Sequence, residues 1–376
     1  MSAASMTGHS STQDCRSMYG EVLVRWGSDT IGWFIDEELG YFPRGEAHAA
    51  ASRIEATSLA ASGRSLRLMG ELEKTQYLVD RASGDRFAGY GDVYWRFDEM
   101  GSQDAHVIYG LKASPRSVWR ITEQWIKVAM LQLGWSAAHS SAFVYEGIPV
   151  VVVGWQNLGK SRLLHRALST GAAYVSEDFT WVSASGAIRG YPAAAVEIPK
   201  HGLDSDPSQD IWSRVAAWLA PARSVDAGMA RRLSRRIARR LGYERDGELR
   251  VRMDSLYPDL EVKLEASAPC WLIVLPHSDE TKPILTPMPA SEAVERVVNS
   301  MMTDYYFGGH YQRYLYLCGI RAADDHLILR FDELNRALMQ SALESPAHVW
   351  AVDSEVVLRT PDVVLRELTD AVRKGA

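Results

Sequence analysis

Between Gly20 and about Lys112, short runs of β-branched and aromatic residues alternate with Gly, Asp and Ser. The runs Val22 to Trp26, Ile31 to Ile35, Ser65 to Met69 and His106 to Gly110 read as strands separated by turn residues. Residues 19–116 are therefore expected to form an N-terminal β-rich lobe behind a polar, flexible tail, 1–18. Ala49 to Ala61 fits a helix or a further strand equally well.

From Ser117 to about Trp135 the period changes. Val118, Ile121, Trp125, Val128, Leu131 and Trp135 recur at three- and four-residue steps, one face of a helix, and Pro115 suits its start. Two strands are predicted next, Ser141 to Tyr145 and, past a Glu146-Gly147 turn, Ile148 to Val153. The second is almost wholly β-branched, as a strand buried on both faces should be. A helix over Lys160 to Ser169 and a single strand over Tyr174 to Val182 follow. Beyond them lie a polar linker, Asp204 to Gln209, and a helical stretch, Asp210 to Leu241. Ala268 to Leu275 reads as a strand, Ser291 to Thr303 as a helix, Val349 to Val352 as a strand and Pro361 to Lys374 as a helix. The whole of 117–376 reads as an α/β domain with an Arg-rich helical insertion near 210–252.

Composition adds bounds. With 376 residues, 47% of them hydrophobic and 23% charged, the chain has an ordinary globular make-up and the length of about two domains. A net charge of −6 makes neither nucleic acid nor an anionic membrane the default partner. Three scattered cysteines suit no disulfide framework, and no Cys-x-x-Cys pair suggests zinc. The first residues lack a signal-peptide pattern, and the longest apolar run is too short to span a bilayer. The expectation is a cytoplasmic protein without membrane association.

The candidate chemistry sits after the buried strand. Gly154, Gly159, Lys160 and Ser161 satisfy G-x-x-x-x-G-K-[ST] at every fixed position, with a strand before and a helix after. Backbone N–H groups of such a loop, with the positive end of the helix behind it, wrap the phosphates of a nucleotide. Candidate nucleotide contacts are Gly154, Trp155, Gln156, Asn157, Leu158, Gly159, Lys160, Ser161 and Arg162. Lys160 would reach the β- and γ-phosphates, and Ser161 would ligate Mg²⁺. About 17 residues on, Glu177 and Asp178 interrupt an apolar strand, where acids seldom stand unless they bind metal or act as a base. Neighbours on a strand point to opposite faces, so only one of the two is expected to face the phosphates easily. His139, expected just before a strand, is a weaker candidate from spacing alone.

Taken together, His139, Ala142-Phe-Val, a Gly turn, the Gly154 to Ser161 loop and the acidic doublet resemble the HPr kinase/phosphorylase family over about Ser136 to Lys200. Gly190-Tyr-Pro and Lys200 belong to the same stretch. The resemblance implies a P-loop core of the HPr kinase / phosphoenolpyruvate-carboxykinase-like type and dependence on ATP (or another nucleoside triphosphate) and Mg²⁺. It implies that His139 lies beside the metal and the transferred phosphoryl group. The acidic pair would act as metal ligand and base, Asp178 as base and Glu177 with the metal. Three features depart from the family: Glu177 replaces the usual Asp, the loop interior Trp155-Gln-Asn-Leu is bulky, and no counterpart of the phosphorolysis segment follows Asp204. HPr is therefore not the expected substrate, and the chain looks more like HPr-kinase-related proteins that modify peptides in natural-product pathways.

The leading expectation is a kinase for a Ser/Thr hydroxyl of a peptide or protein, with a small-molecule alcohol second. The alternative is a nucleotide-binding regulatory or peptide-recognition module without phosphotransfer; homo-oligomer formation stays open. Residues 231–252 hold nine Arg against three acids. They form either a solvated amphipathic helix or a surface for an acidic partner, with nucleic acid the least favoured ligand. The aromatic stretch Asp304 to Tyr316, around Gly308-Gly309, reads as a loop that lines a pocket or packs.

Overall fold

A computed structural model describes residues 14–45, 50–99, 102, 104–199, 244–245, 248–276, 283–304, 307–319, 327–344 and 348–375. They fall into two compact units, the first drawn from residues up to Asp36 and from Phe42–Thr122, the second from Glu37–Tyr41 and Glu123 onward. The protein is mixed α/β, with two large mixed sheets and a small third one.

The first unit is built on eight strands in the order β1-β2-β3-β8-β7-β6-β5-β4. These are β1 (Asp14–Met18), β2 (Val22–Trp26), β3 (Ser52–Ser58), β4 (Leu66–Leu72), β5 (Thr75–Asp80), β6 (Arg86–Tyr90), β7 (Val93–Trp95) and β8 (Asp104–Tyr109). Two expectations need correction. The end of the supposed tail is strand β1, paired antiparallel with β2. The run Ile31 to Ile35 is not a strand but lies in helix α1 (Thr30–Glu38). The missed signal was a cap: the Asp29 carboxylate accepts from the Gly32 N–H at 2.8 Å. Behind it, Ile31, Phe34 and Ile35 share one buried helical face. The undecided stretch from Ala49 divides into β3 and the short helix α2 (Leu59–Ser62), capped by Ser58.

Helix α3 (Pro115–Gln132) ends before Trp135, which opens the long strand β9 (Trp135–Tyr145). His139 therefore lies within a strand, not ahead of one. Next come β10 (Ile148–Val153), helix α4 (Lys160–Ser169), β11 (Ala173–Ser176), β12 (Phe179–Ser183), β13 (Ile188–Gly190) and β14 (Ala195–Pro199). After them stand β15 (Glu244–Arg245), β16 (Glu248–Arg252), β17 (Glu265–Ala266), β18 (Cys270–Leu275), β19 (Thr286–Pro287) and β20 (Val349–Asp353). The second large sheet has the order β17-β13-β12-β9-β10-β18-β20-β19, with β11 also on β9.

Strand β10 shows why its sequence is nearly all valine. Val150 and Val152 enter one core with Leu163, Leu164 and Leu168 of α4 and with Val364, Leu365 and Leu368 of helix Pro361–Gly375. Val151 and Val153 enter the core on the other face, with Val294, Val297 and Val298 of helix Ala290–Asp304 and Met339 of helix Phe331–Glu344. All four valines are fully buried, and each such burial is worth about 1.5–3 kcal/mol. A polar residue on either face would open one of the two cores.

Lys200, the linker and the Arg-rich stretch as far as residue 243 lie outside the described residues. The end of the expected helical insertion is instead a hairpin, β15 with β16, and β16 pairs antiparallel with β14. Arg250 and Arg252 are thus strand residues. The Gly308-Gly309 segment is not a loop either; it lies in helix Phe307–Cys318, whose Phe307, Tyr311 and Tyr314 are buried. No helix among the described residues is long and apolar enough to cross a membrane.

Candidate phosphate-loop site

Strand β9 gathers the site. On one edge Ser140 pairs with Val153, the last residue before Gly154. On the other edge, Ala142 pairs with Ser176 and His139 with Phe179. All three strands flanking β9 run antiparallel to it. The C-terminal end of β10, with its glycine loop, and the C-terminal end of β11, with Glu177-Asp178, therefore emerge at the same end of the sheet. In open α/β sheets ligands bind at such carboxyl ends.

The strand expected over Tyr174 to Val182 is interrupted between β11 and β12. Asp178 has φ +69°, a left-handed conformation that Asp tolerates better than most residues. The break leaves the pairing continuous, since Ser140 N–H donates to the Asp178 carbonyl at 3.0 Å. Beneath it, Thr180 Oγ1 lies 2.5 Å from Ser176 Oγ and accepts from Ser140 Oγ at 2.7 Å. All three hydroxyls are buried, so they satisfy one another. Tyr191 stacks on Phe179 with ring centroids 4.2 Å apart, and its carbonyl accepts from Glu177 N–H at 3.4 Å. Gly190 permits this approach: a Cβ there would stand 2.1 Å from the Val175 carbonyl oxygen.

In the loop, Trp155, Gln156 and Asn157 are exposed and Leu158 is half-buried against the α4-side core. Three of the four bulky interior residues noted in the sequence are thus exposed, and the fourth packs on the core. Asn157 adopts φ +64°. Gly159 has φ +100°, and a Cβ on it would come within 2.9 Å of Val357. Lys160 is buried, and its ammonium donates to the carbonyls of Gly154 at 2.7 Å and Trp155 at 3.0 Å. Ser161 is exposed at the first turn of α4, and Arg162 is half-buried beside it.

The two acids meet different partners. Glu177 is buried close to Ser161 and Lys160, and its Oε2 has no hydrogen-bond partner. Burial pushes the Glu177 carboxyl up to about 7, against the opposing pull of Ser161 and Lys160. Asp178 opens to solvent yet sits in a recess crowded by protein. That crowding, followed by the charges of Glu177 and Glu123, raises its carboxyl, while His139 and Lys127 act in the other direction. The structure thus joins Lys160, Ser161 and Glu177 into one cluster and His139 and Asp178 into an adjoining one.

Residues not singled out from the sequence complete both clusters. Lys127 and Glu123, one turn apart on α3, pair at 2.6 Å, and the Lys127 ammonium lies 4.6 Å from the centre of the Phe179 ring. Thr122, Gln124 and Lys127 are buried on this amphipathic helix, and the sequence pattern alone does not mark them. Behind Glu177 stands buried His165, one turn after Ser161 on α4. Its Nδ1 lies 3.0 Å from the Tyr257 hydroxyl and its Nε2 3.9 Å from Glu177 Oε2. Burial lowers the His165 imidazole to about 4, so it is neutral at pH 7.

Among the described residues no group of three or more His, Cys, Asp or Glu converges as a self-contained metal site. Mg²⁺ needs none, since it is commonly held by one or two carboxylates, waters and substrate phosphates. An orphaned carboxylate oxygen beside an exposed hydroxyl fits that donor set. No protein-family model matches the chain, and no curated protein matches it in sequence.

Proposed function

We propose that this protein is an ATP- and Mg²⁺-dependent phosphotransferase of the HPr-kinase-like type that phosphorylates a hydroxyl, with a Ser/Thr side chain of a peptide or protein as the leading acceptor. One observation carries the reading: strand β9 places the glycine loop on one edge and the acidic turn on the other, so Lys160, Ser161 and Glu177 meet beside a solvent-reachable Asp178 and His139. A buried strand–loop–helix that presents phosphate ligands next to a carboxylate with raised proton affinity is what transfer to an alcohol requires.

The loop amides and Lys160 would bind the β- and γ-phosphates, and on nucleotide entry the ammonium exchanges the Gly154 and Trp155 carbonyls for phosphate oxygens. Ser161 and Glu177 would hold Mg²⁺, which supplies charge neutralisation on the phosphates. Asp178, open to solvent, would receive the proton of the acceptor hydroxyl, and His139 would stand beside the transferred group. A carboxyl raised toward neutral pH is a better base than one at the ordinary carboxylate value.

Calorimetry with Mg²⁺ and ATP, paired with a phosphate-transfer assay on peptide libraries, tests the proposal. Wild type should bind at micromolar to millimolar ATP, and Lys160→Ala should cut turnover by about 10³-fold. Absence of nucleotide binding by folded wild type defeats the proposal. Binding without transfer to any hydroxyl leaves a nucleotide-responsive recognition module.

A further inference from the structure

Two side chains share one buried carbonyl at the start of the glycine loop. The Gly154 oxygen accepts from the Lys160 ammonium at 2.7 Å and from the Ser300 hydroxyl at 3.3 Å, and protein encloses both contacts. A carbonyl oxygen has two lone pairs and no proton, so the direction of each bond is fixed and both fit at once. Gly154 is itself closely packed: a Cβ there would come 3.0 Å from the Val274 carbonyl oxygen. Ser300 arrives from 146 positions away, on helix Ala290–Asp304. It is buried, and its helix neighbours Val297, Val298 and Met301 belong to the core that holds Val151 and Val153.

The two donors differ in what phosphate would ask of them. Lys160 must leave its carbonyls to reach a phosphate oxygen, whereas Ser300 sits in the core and stays. The Trp155 carbonyl, which Lys160 also holds at 3.0 Å, is in a partly enclosed contact on an exposed residue, where water can replace the ammonium. Around the Gly154 oxygen the contacts are buried. A buried acceptor stripped of its donors costs free energy, and without Ser300 that cost would oppose every release of the lysine.

We infer that Ser300 is a positioning residue that keeps the Gly154 carbonyl paired when Lys160 turns to phosphate, so that the lysine is freed without orphaning the first residue of the loop. The consequence for nucleotide binding rests on the proposed phosphotransfer reading; the shared acceptor does not. A hydroxyl with a purely structural bond matters equally whether Lys160 is in place or away. On a shared acceptor, each donor matters more once the other has gone.

Two measurements on the full chain separate these cases. The first is a double-mutant cycle by chemical denaturation, without nucleotide or metal. Ser300→Ala should shift the unfolding equilibrium only slightly while Lys160 is present. In a Lys160→Met background the same change should shift it about 10-fold more, because the carbonyl then has no donor. Equal shifts in the two backgrounds overturn the inference whatever the protein's activity. If Lys160→Met does not fold, Lys160→Ala takes its place in the cycle. The second is calorimetry with Mg²⁺ and ATP. Ser300→Ala should weaken ATP binding about 10-fold with the nucleotide-free melting temperature near wild type. Unchanged affinity, or a loss of melting temperature in its place, also overturns the inference. If folded wild type binds no nucleotide, the phosphotransfer proposal falls, and the cycle still judges the sharing of Gly154.

Discussion

Two acid pairs in this molecule are treated in opposite ways. In the first unit, Asp80 and Asp85 lie beside Arg64, which reaches Asp80 at 3.3 Å and Asp85 at 3.0 Å, and Arg96 reaches Asp85 at 3.0 Å. Burial tends to raise Asp80, but the N–H groups of Ala82 and Ser65, the Ser83 hydroxyl and Arg64 outweigh it, and its carboxyl ends below the ordinary value. The Arg64 hydrogen bond leads the same lowering at Asp85. In the second unit, Glu177 and Asp178 are adjacent, and the cations near them, Lys160 and Lys127, have other partners: backbone carbonyls and Glu123. Both carboxyls are raised. The first pair has enough donors to hold its charge and serves the fold. The second has fewer, and acids with raised proton affinity of this kind mark a candidate functional site.

The strongest way to break this comparison is to neutralise one acid of each pair. Asp178→Asn should cut phosphate transfer about 10²-fold, the usual scale for a positioned base, and leave the melting temperature level or higher, because a repulsion is removed. Asp85→Asn should do the reverse, lowering stability by about 1–2 kcal/mol with turnover near wild type. If the two variants exchange these outcomes in paired melting and turnover assays, the division fails.

A pH series sharpens it. Glu177 has a folded value near 7 against an ordinary 4.5, so the native state binds the extra proton between them, and stability contributed by this group falls as pH rises through that window. His165 behaves oppositely: near 4 when folded against an ordinary 6.5, it makes stability rise with pH across that range. The two slopes offset each other in wild type. The melting temperature of Glu177→Gln relative to wild type should therefore climb from pH 4.5 to 7, and that of His165→Gln should be more favourable at pH 4 than at 6.5. Parallel curves for wild type and both variants would refute the assignment. Asp80 and Asp85, held below their ordinary 3.8, contribute stability above that value and lose it only as pH falls further.

The smallest effect belongs to an ordinary surface pair. Arg189 meets the exposed Glu265 at 3.0 Å and also lies over the Trp135 ring at 4.1 Å. Glu265→Gln should cost about 0.5 kcal/mol or less by chemical denaturation, and a cost several times larger would mean that exposed pairs here are not weak controls.

Local pattern carried much of the site region. The valine-rich strand, the glycine loop and the helix from Lys160 to Ser169 were readable because each rests on neighbours in sequence: a β-branched run, a loop–helix motif and a four-residue period. The acidic doublet was also visible, but read as part of one continuous strand, because a single left-handed Asp leaves no mark in hydrophobic periodicity. The apolar run of helix α1 satisfies a strand template, and its helical signal is the Asp29 cap ahead of it.

Long-range chain placement decided the rest. His139 gained its place through pairing with Phe179, and Ser136 bonds Asn335 from 199 positions away. His165 met its tyrosine across 92 positions, and Glu123 and Lys127 came to the acidic turn from a helix that reads as plainly amphipathic. Residue order sets periodicity and local turns, since those depend on atoms a few bonds apart. Whether a carboxylate is held charged or left wanting depends on which distant donors the packed sheet brings within about 3–4 Å of it, and that is settled only when the strands find their register.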